Sequence, residues 1–333
     1  MLHRMLAVAG GGGGFATPPA TDYGIGDSES GLTGTSLSKL GIVLARGAGG
    51  SWDAALVESP TVWYDVAAAK FGMLYVGYSA GPDNAAIGLA WASSPGGPWT
   101  KDGANPILQE SGSGADANGV TGPYLWISGS TYHLFYIGLT GTGYEGGTAS
   151  LMHATASAPA GPWTRLGQII APTSGWRSSM VFHCTIHQTV DLTYHMLFNA
   201  KGGHEAIGYA SSTDLATWTV DDAHSPVLDI GSGWETTTIG DPSFYTVGGT
   251  PWIAYYGFNG THAYDGLASA TSFPLSWTKY GSNPVLSPGG SGSVDEKYAH
   301  KPFIYQNGSG MWHFYTAVSN ADVREIACAT ATA

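Results

Sequence analysis

Apolar runs of strand length recur along the chain, always in the same internal order. An aromatic-rich run comes first in each recurrence: MLYVGYS, YHLFYIGL, YHMLFNA, WIAYYGF and WHFYTAV. A run of small residues follows: IGLAWASS from Ile87, ASLMHATAS from Ala149, AIGYASST from Ala206, GLASATS from Gly266 and EIACATA from Glu325. Short runs of β-branched and aromatic residues bounded by turn residues read as strands. After the first four small-residue runs stand GPWTKDGANPIL, GPWTRLGQII, ATWTVDDAHSPVL and LSWTKYGSNPVL, carrying Trp99, Trp163, Trp218 and Trp277. Their spacing is about that of a propeller blade.

Ahead of each aromatic run lies one further strand, marked by an acid seven positions before a proline: Asp53 to Pro60, Asp116 to Pro123, Glu235 to Pro242 and Asp295 to Pro302. The third recurrence departs from this, with Arg177 seven positions before Cys184. Proline cannot donate to a strand ladder, so it fits an innermost strand beside a central channel. The fifth recurrence stops after its small-residue run, one strand short. SLSKLGIVLARGAGGSWD resembles VDDAHSPVLDIGSGWE, so Thr35 to about Leu44 reads as the missing strand, supplied from the other end of the chain. The expectation is an all-β, five-bladed β-propeller of four-stranded antiparallel blades over 35–333, its ring closed by that N-terminal strand. Residues 1–34, rich in Gly, Ser and Thr, read as a flexible tail.

Composition narrows the function. The 333 residues carry 50 Gly, 18 Tyr and 12 Trp, with only 11% charged residues. The net charge of −12 reflects just 12 Lys and Arg, and no basic run exists to track phosphates, so nucleic acid is not an expected partner. No apolar stretch has the ~20 residues of a membrane helix, and a glycine run interrupts the only leader-like segment, so the expectation is a secreted or soluble chain. Cys184 and Cys328 lie far apart in apolar runs and read as buried free thiols.

WDAALVESPTVWYD, GDPSFYTVGG and HKPFIYQNGSGMWHFYTAV carry a resemblance over nearly the whole of 35–333. The chain resembles the five-bladed glycoside hydrolases of family 43 and its relatives in families 32, 62, 117 and 130. That resemblance implies an exo-acting, inverting glycoside hydrolase. It would remove terminal sugars such as arabinofuranose, xylose or anhydrogalactose from plant or algal oligosaccharides or polysaccharides. It implies an Asp base on the first blade, an Asp that tunes the acid, and a Glu acid, or in family 117 a His acid. No cofactor is expected to be required, although a channel cation such as Ca is known in some relatives; no ligand spacing marks a metal site here. The alternatives are a non-catalytic sugar-binding propeller used for adhesion or receptor binding, and a glycoside phosphorylase.

Where family members carry Asp-Pro on the first blade, this chain has Ser59-Pro60. The base then falls to Glu58 or to Asp53, which shares the parity of Ser59 along a strand; parity favours Asp53. Asp241-Pro242 keeps the motif, and Glu235 stands where Asp53 does in its own recurrence. The reading is Asp53 as base, Glu235 as acid and Asp241 as tuner, with Glu58, His183, His300, Lys301, Arg177 and Asp116 as substrate-binding candidates. His204-Glu205 echoes the family 117 acid but precedes a small-residue strand, and is read as chance.

Overall fold

A computed structural model describes residues 37–80, 83–143, 147–307 and 310–331. The expected tail over 1–34 lies outside the described residues, as does the start of the strand expected from Thr35. The described chain is all-β, with only three-residue 3₁₀ turns besides its strands. Among the described residues no helix is long and apolar enough to cross a membrane.

Four antiparallel strands make each sheet unit. The first is β2 (Leu56–Asp65), β3 (Lys70–Ala80), β4 (Asp83–Ala92) and β5 (Thr100–Lys101). The second is β6 (Gly119–Ser128), β7 (Thr131–Leu139), β8 (Ala149–Ala156) and β9 (Thr164–Ile170). The third is β10 (Met180–Gln188), β11 (Tyr194–Lys201), β12 (Glu205–Ser212) and β13 (Thr219–Val220). Then come β14 (Thr238–Val247), β15 (Thr250–Phe258), β16 (Ala263–Ser272) and β17 (Ser276–Lys279). Finally, β18 (Tyr298–Asn307), β19 (Gly310–Val318) and β20 (Arg324–Ala331) are joined by β1 (Ser38–Leu44), which pairs antiparallel with β20. A lone parallel residue pair, Ala263 with Tyr298, joins the last two units.

The leading strands touch in a ring: β2 to β6, β6 to β10, β10 to β14, β14 to β18, and β18 back to β2. Hydroxyls stitch neighbours together. Thr61 donates to the Pro123 carbonyl at 2.5 Å. The amides of Phe244 and Ile304 donate to Thr185 and Ser243 at 3.1 and 2.9 Å. Between the sheets lie apolar clusters such as Val57, Tyr75, Trp99, Phe314 and Cys328, each fully or nearly fully buried. Both cysteines are buried free thiols.

The recurring acid seven residues before proline proves to be a latch. Asp53 accepts from Tyr75 Oη at 3.1 Å and pairs with Lys101 Nζ at 2.5 Å, so one carboxylate ties the approach to the first strand to the second and outermost strands. The arrangement recurs as Asp116 with Tyr136 and Arg165, Glu235 with Tyr255 and Lys279, and Asp295 with Tyr315 and Lys39. In the third unit the charges are exchanged. Arg177 makes a two-pronged pair with Asp222, Nε to Oδ1 at 2.8 Å and Nη2 to Oδ2 at 2.7 Å. A phenylalanine, Phe198, stands in place of the latch tyrosine, because a guanidinium needs no hydroxyl donor. Trp52, Trp176 and Trp234 pack over Tyr75, Phe198 and Tyr255 at 5.5–5.6 Å between ring centroids. Glycine is required beneath them: a Cβ on Gly208 would lie 2.1 Å from the Trp176 ring.

Candidate functional site

Each leading strand breaks its ladder just before or at the proline position. The pairing slips between Glu58 and Thr61, Thr121 and Tyr124, Val181 and Cys184, Gly240 and Ser243, and His300 and Phe303. Such bulges re-aim side chains. At four of them the residue before proline adopts left-handed backbone: Ser59 at φ 53°, Gly122 at 53°, Asp241 at 46° and Lys301 at 60°. For Ser59, Asp241 and Lys301 this conformation is unfavourable, the kind of strain that clusters at functional sites.

The bulges surround a cavity of about 370 Å³. Its walls include Glu58, Ser59, His183, Asp241, His300 and Lys301 from the bulges. Tyr78, Asn199, Lys201, Glu205, Tyr256 and Arg324 come from the strands behind them. The sequence-based candidates Glu58, His183, Asp241, His300 and Lys301 therefore meet in one place.

Asp53, Glu235, Asp116 and Arg177 do not line this cavity. Asp53 and Glu235, read from the sequence as base and acid, lie outside the cavity, their carboxylates each paired with a tyrosine and a lysine in a latch. Asp116 and Arg177, read as substrate-binding, are likewise held in latch pairs. Parity misleads at Asp53 for a local reason. Asp53 sits in a turn before β2, where alternation does not hold, and the bulge resets parity at Ser59.

Glu58 is 1% exposed and fully engaged: Tyr78 Oη donates to Oε1 at 3.0 Å, Lys301 Nζ lies 3.1 Å from Oε1, and Arg324 Nη1 lies 2.8 Å from Oε2. Burial works to raise its pKa, but the two cations prevail and bring it down to about 2. Glu205 lies at the start of β12, opposite Lys201 in the ladder. Asn199 Nδ2 and Tyr256 Oη both donate to its Oε2, at 2.8 and 2.9 Å. Burial first, and then the nearby Asp241 charge, push its pKa up to about 7 in spite of those two donors. Asp241 makes no hydrogen bond to the described residues; burial raises its pKa while Lys301 and His183 oppose the rise.

Burial favours the neutral form of both cavity histidines. Burial lowers the pKa of His183, partly offset by Asp241, and holds that of His300 well below the ordinary value, with Lys301 and Arg324 adding to the effect. His183 lies edge-on to Tyr124, and His300 edge-on to Tyr256 and Tyr298. His183 Nδ1 and His300 Nε2 are buried without a hydrogen-bond partner.

Among the described residues no group of three or more His, Cys, Asp or Glu is arranged to hold a metal ion.

Glu205, Asn199, Tyr256, Tyr78 and Arg324 were not among the sequence candidates. The sole local signal was His204-Glu205, of which the glutamate lines the cavity. His204 pairs instead with Asp229, at 2.6 Å, and does not line the cavity.

No protein-family model matches the chain, and no curated protein matches it. Solved structures do share its fold. The structure of a BT0996 RGII complex superposes with a TM-score of 0.77 at 22% identity, covering 91% of this protein and 93% of that one. A glycoside hydrolase superposes at 0.75 and 22% identity, covering 89% and 93%. A thermostable family-43 glycoside hydrolase superposes at 0.62 and 18% identity, covering 86% and 91%. The protein thus has the β-propeller architecture of these structures.

Proposed function

We propose that the chain is a five-bladed propeller closed by β1 against β20, and that it is a glycoside hydrolase acting on the terminal sugar of an oligosaccharide, with inversion. The observation that carries the catalytic reading is the pair Glu205 and Asp241. These two carboxyl groups reach one cavity from the third and fourth units, one held by two donors on a single oxygen, the other without a hydrogen bond among the described residues.

Glu205, its pKa pushed up to about 7, keeps its proton in mildly acidic solution and about half of it at neutrality, as suits a general acid. Burial raises the pKa of Asp241 and the Lys301 charge opposes that rise, favouring the anion that a base needs. In the reaction, the bond from the anomeric carbon to the glycosidic oxygen breaks with its electron pair going to oxygen, and that oxygen takes the Glu205 proton. A water oxygen bonds to the anomeric carbon from the opposite face and yields its proton to Asp241. Glu58 stays ionised and holds Lys301 and Arg324 in the wall. His183 and His300 contribute neutral ring nitrogens at which sugar hydroxyls bind. The glycone classes that agree with the resemblance are arabinofuranose, xylose and anhydrogalactose, from plant or algal glycans.

The test is turnover of a panel of aryl glycosides and plant and algal oligosaccharides by the wild type, with the anomer of the first product read by NMR. Release of a terminal sugar of inverted configuration supports the reading. Thermal protection by a sugar without any turnover would leave a sugar-binding propeller, and turnover that requires phosphate would make it a phosphorylase.

A further inference from the structure

Both hydrogen bonds to Glu205 fall on the same atom. Asn199 Nδ2 and Tyr256 Oη converge on Oε2, while Oε1 has no hydrogen-bond partner among the described residues. In a protonated carboxyl group the oxygen that accepts two donors is the carbonyl oxygen, and the proton resides on the other.

The convergence depends on one glycine. Asn199 comes from β11 and Tyr256 from β15, and their side chains meet over Gly240, next to Asp241. A Cβ at Gly240 would lie 2.6 Å from Asn199 Nδ2 and 2.8 Å from Tyr256 Cε1, closer than real contacts allow. Gly240 does not need positive φ, so its lack of a side chain is what the site uses.

Resting on the glycosidase reading, we infer that Gly240, Asn199 and Tyr256 form a positioning unit for Glu205. The unit fixes Oε2 as acceptor and leaves Oε1 as the atom that delivers the proton to the glycosidic oxygen. The unit also sets when the acid works. Both donors favour the ionised carboxylate and oppose burial and Asp241, so they keep the acid from holding its proton too tightly to release it.

The experiment follows the Glu205 carboxyl carbon by NMR in protein labelled with carboxyl-¹³C glutamate, assigned with Glu205→Gln, in wild type, Tyr256→Phe, Asn199→Ala and Gly240→Ala. Tyr256→Phe deletes one oxygen and leaves the ring to pack against His300. The titration midpoint is expected to rise in all three variants, and the alkaline limb of kcat to move up with it. At the wild-type optimum kcat is expected to fall roughly tenfold in Tyr256→Phe, the loss of one hydrogen bond to a charged group, with KM little changed. An unmoved Glu205 titration in Tyr256→Phe and Asn199→Ala would overturn the inference, even if kcat fell. The titration needs no substrate, so failure of the wild type to cleave any glycoside would count against the function alone.

Discussion

Lys301 Nζ lies 3.1 Å from Glu58 Oε1, an ion pair that spans the seam between the first and last sheet units. Arg324 closes on the other oxygen of the same carboxylate at 2.8 Å. Both oxygens of this cavity carboxylate are thus paired with a cation.

With Glu205 as the proposed acid, its ionisation is expected to set the alkaline limit of activity. With a pKa of about 7, the acid form is lost above that pH, and kcat/KM is expected to fall about tenfold for each further pH unit. Glu205→Gln should lower kcat by about a hundredfold or more on substrates with poor leaving groups, and much less on activated aryl glycosides that need no acid. A pH–rate profile and a leaving-group series check both expectations.

Asp241→Asn should remove the base and cost a similar factor, about a hundredfold in kcat. Azide needs no base to attack. Added azide is therefore expected to restore turnover of an activated glycoside by this variant and to yield a glycosyl azide of inverted configuration. Rescue of Glu58→Gln in place of Asp241→Asn would move the base to the first unit.

The same carboxyl groups link stability to pH with opposite signs. The folded pKa of Glu58, about 2, lies below its ordinary 4.5, so its contribution is present above pH 4.5 and is lost as pH falls from there towards 2. Glu205 is raised from 4.5 to about 7, so it costs stability progressively as pH rises across that window. Glu205→Gln should therefore raise Tm at pH 8 more than at pH 5. Glu58→Gln should lower it at neutral pH, by about 3–5 kcal/mol in unfolding free energy, because two cations lose their shared partner. Thermal scans across pH test both signs.

The latch residues should behave as scaffold. Asp53→Asn and Glu235→Gln are expected to cost about 1–3 kcal/mol of stability, through a weakened pair with Lys101 or Lys279. Their kcat/KM should stay close to that of wild type at temperatures where they are folded. A hundredfold loss of kcat in stably folded Asp53→Asn would return the base to the position first read from the sequence.

Much of the architecture is legible in the sequence alone. Strand identity is carried by local pattern, so the aromatic and small-residue runs map onto second and third strands such as β3 and β4. The Trp-Thr segments map onto the outermost strands β5, β9, β13 and β17. Even the long-range pairing of Ser38–Leu44 with β20 is readable, because its sequence repeats that of an outer strand and the loop behind it. The recurring acid is also visible, and its very recurrence marks a part that each unit needs, which the structure places in the latch. What the sequence left open was direction. A side chain's aim at a bulge depends on a left-handed residue and on where the ladder slips, so Glu58, Asp241 and Lys301 face the cavity by a geometry that alternation cannot express. Glu205 belongs to the site because the tight turn after β11 returns the chain to the mouth of the ring, where Tyr256 of the next unit meets it. That meeting joins residues 51 apart in the chain. Only the packing of one sheet unit against the next creates it, and the burial that follows holds the Glu205 proton near neutral pH.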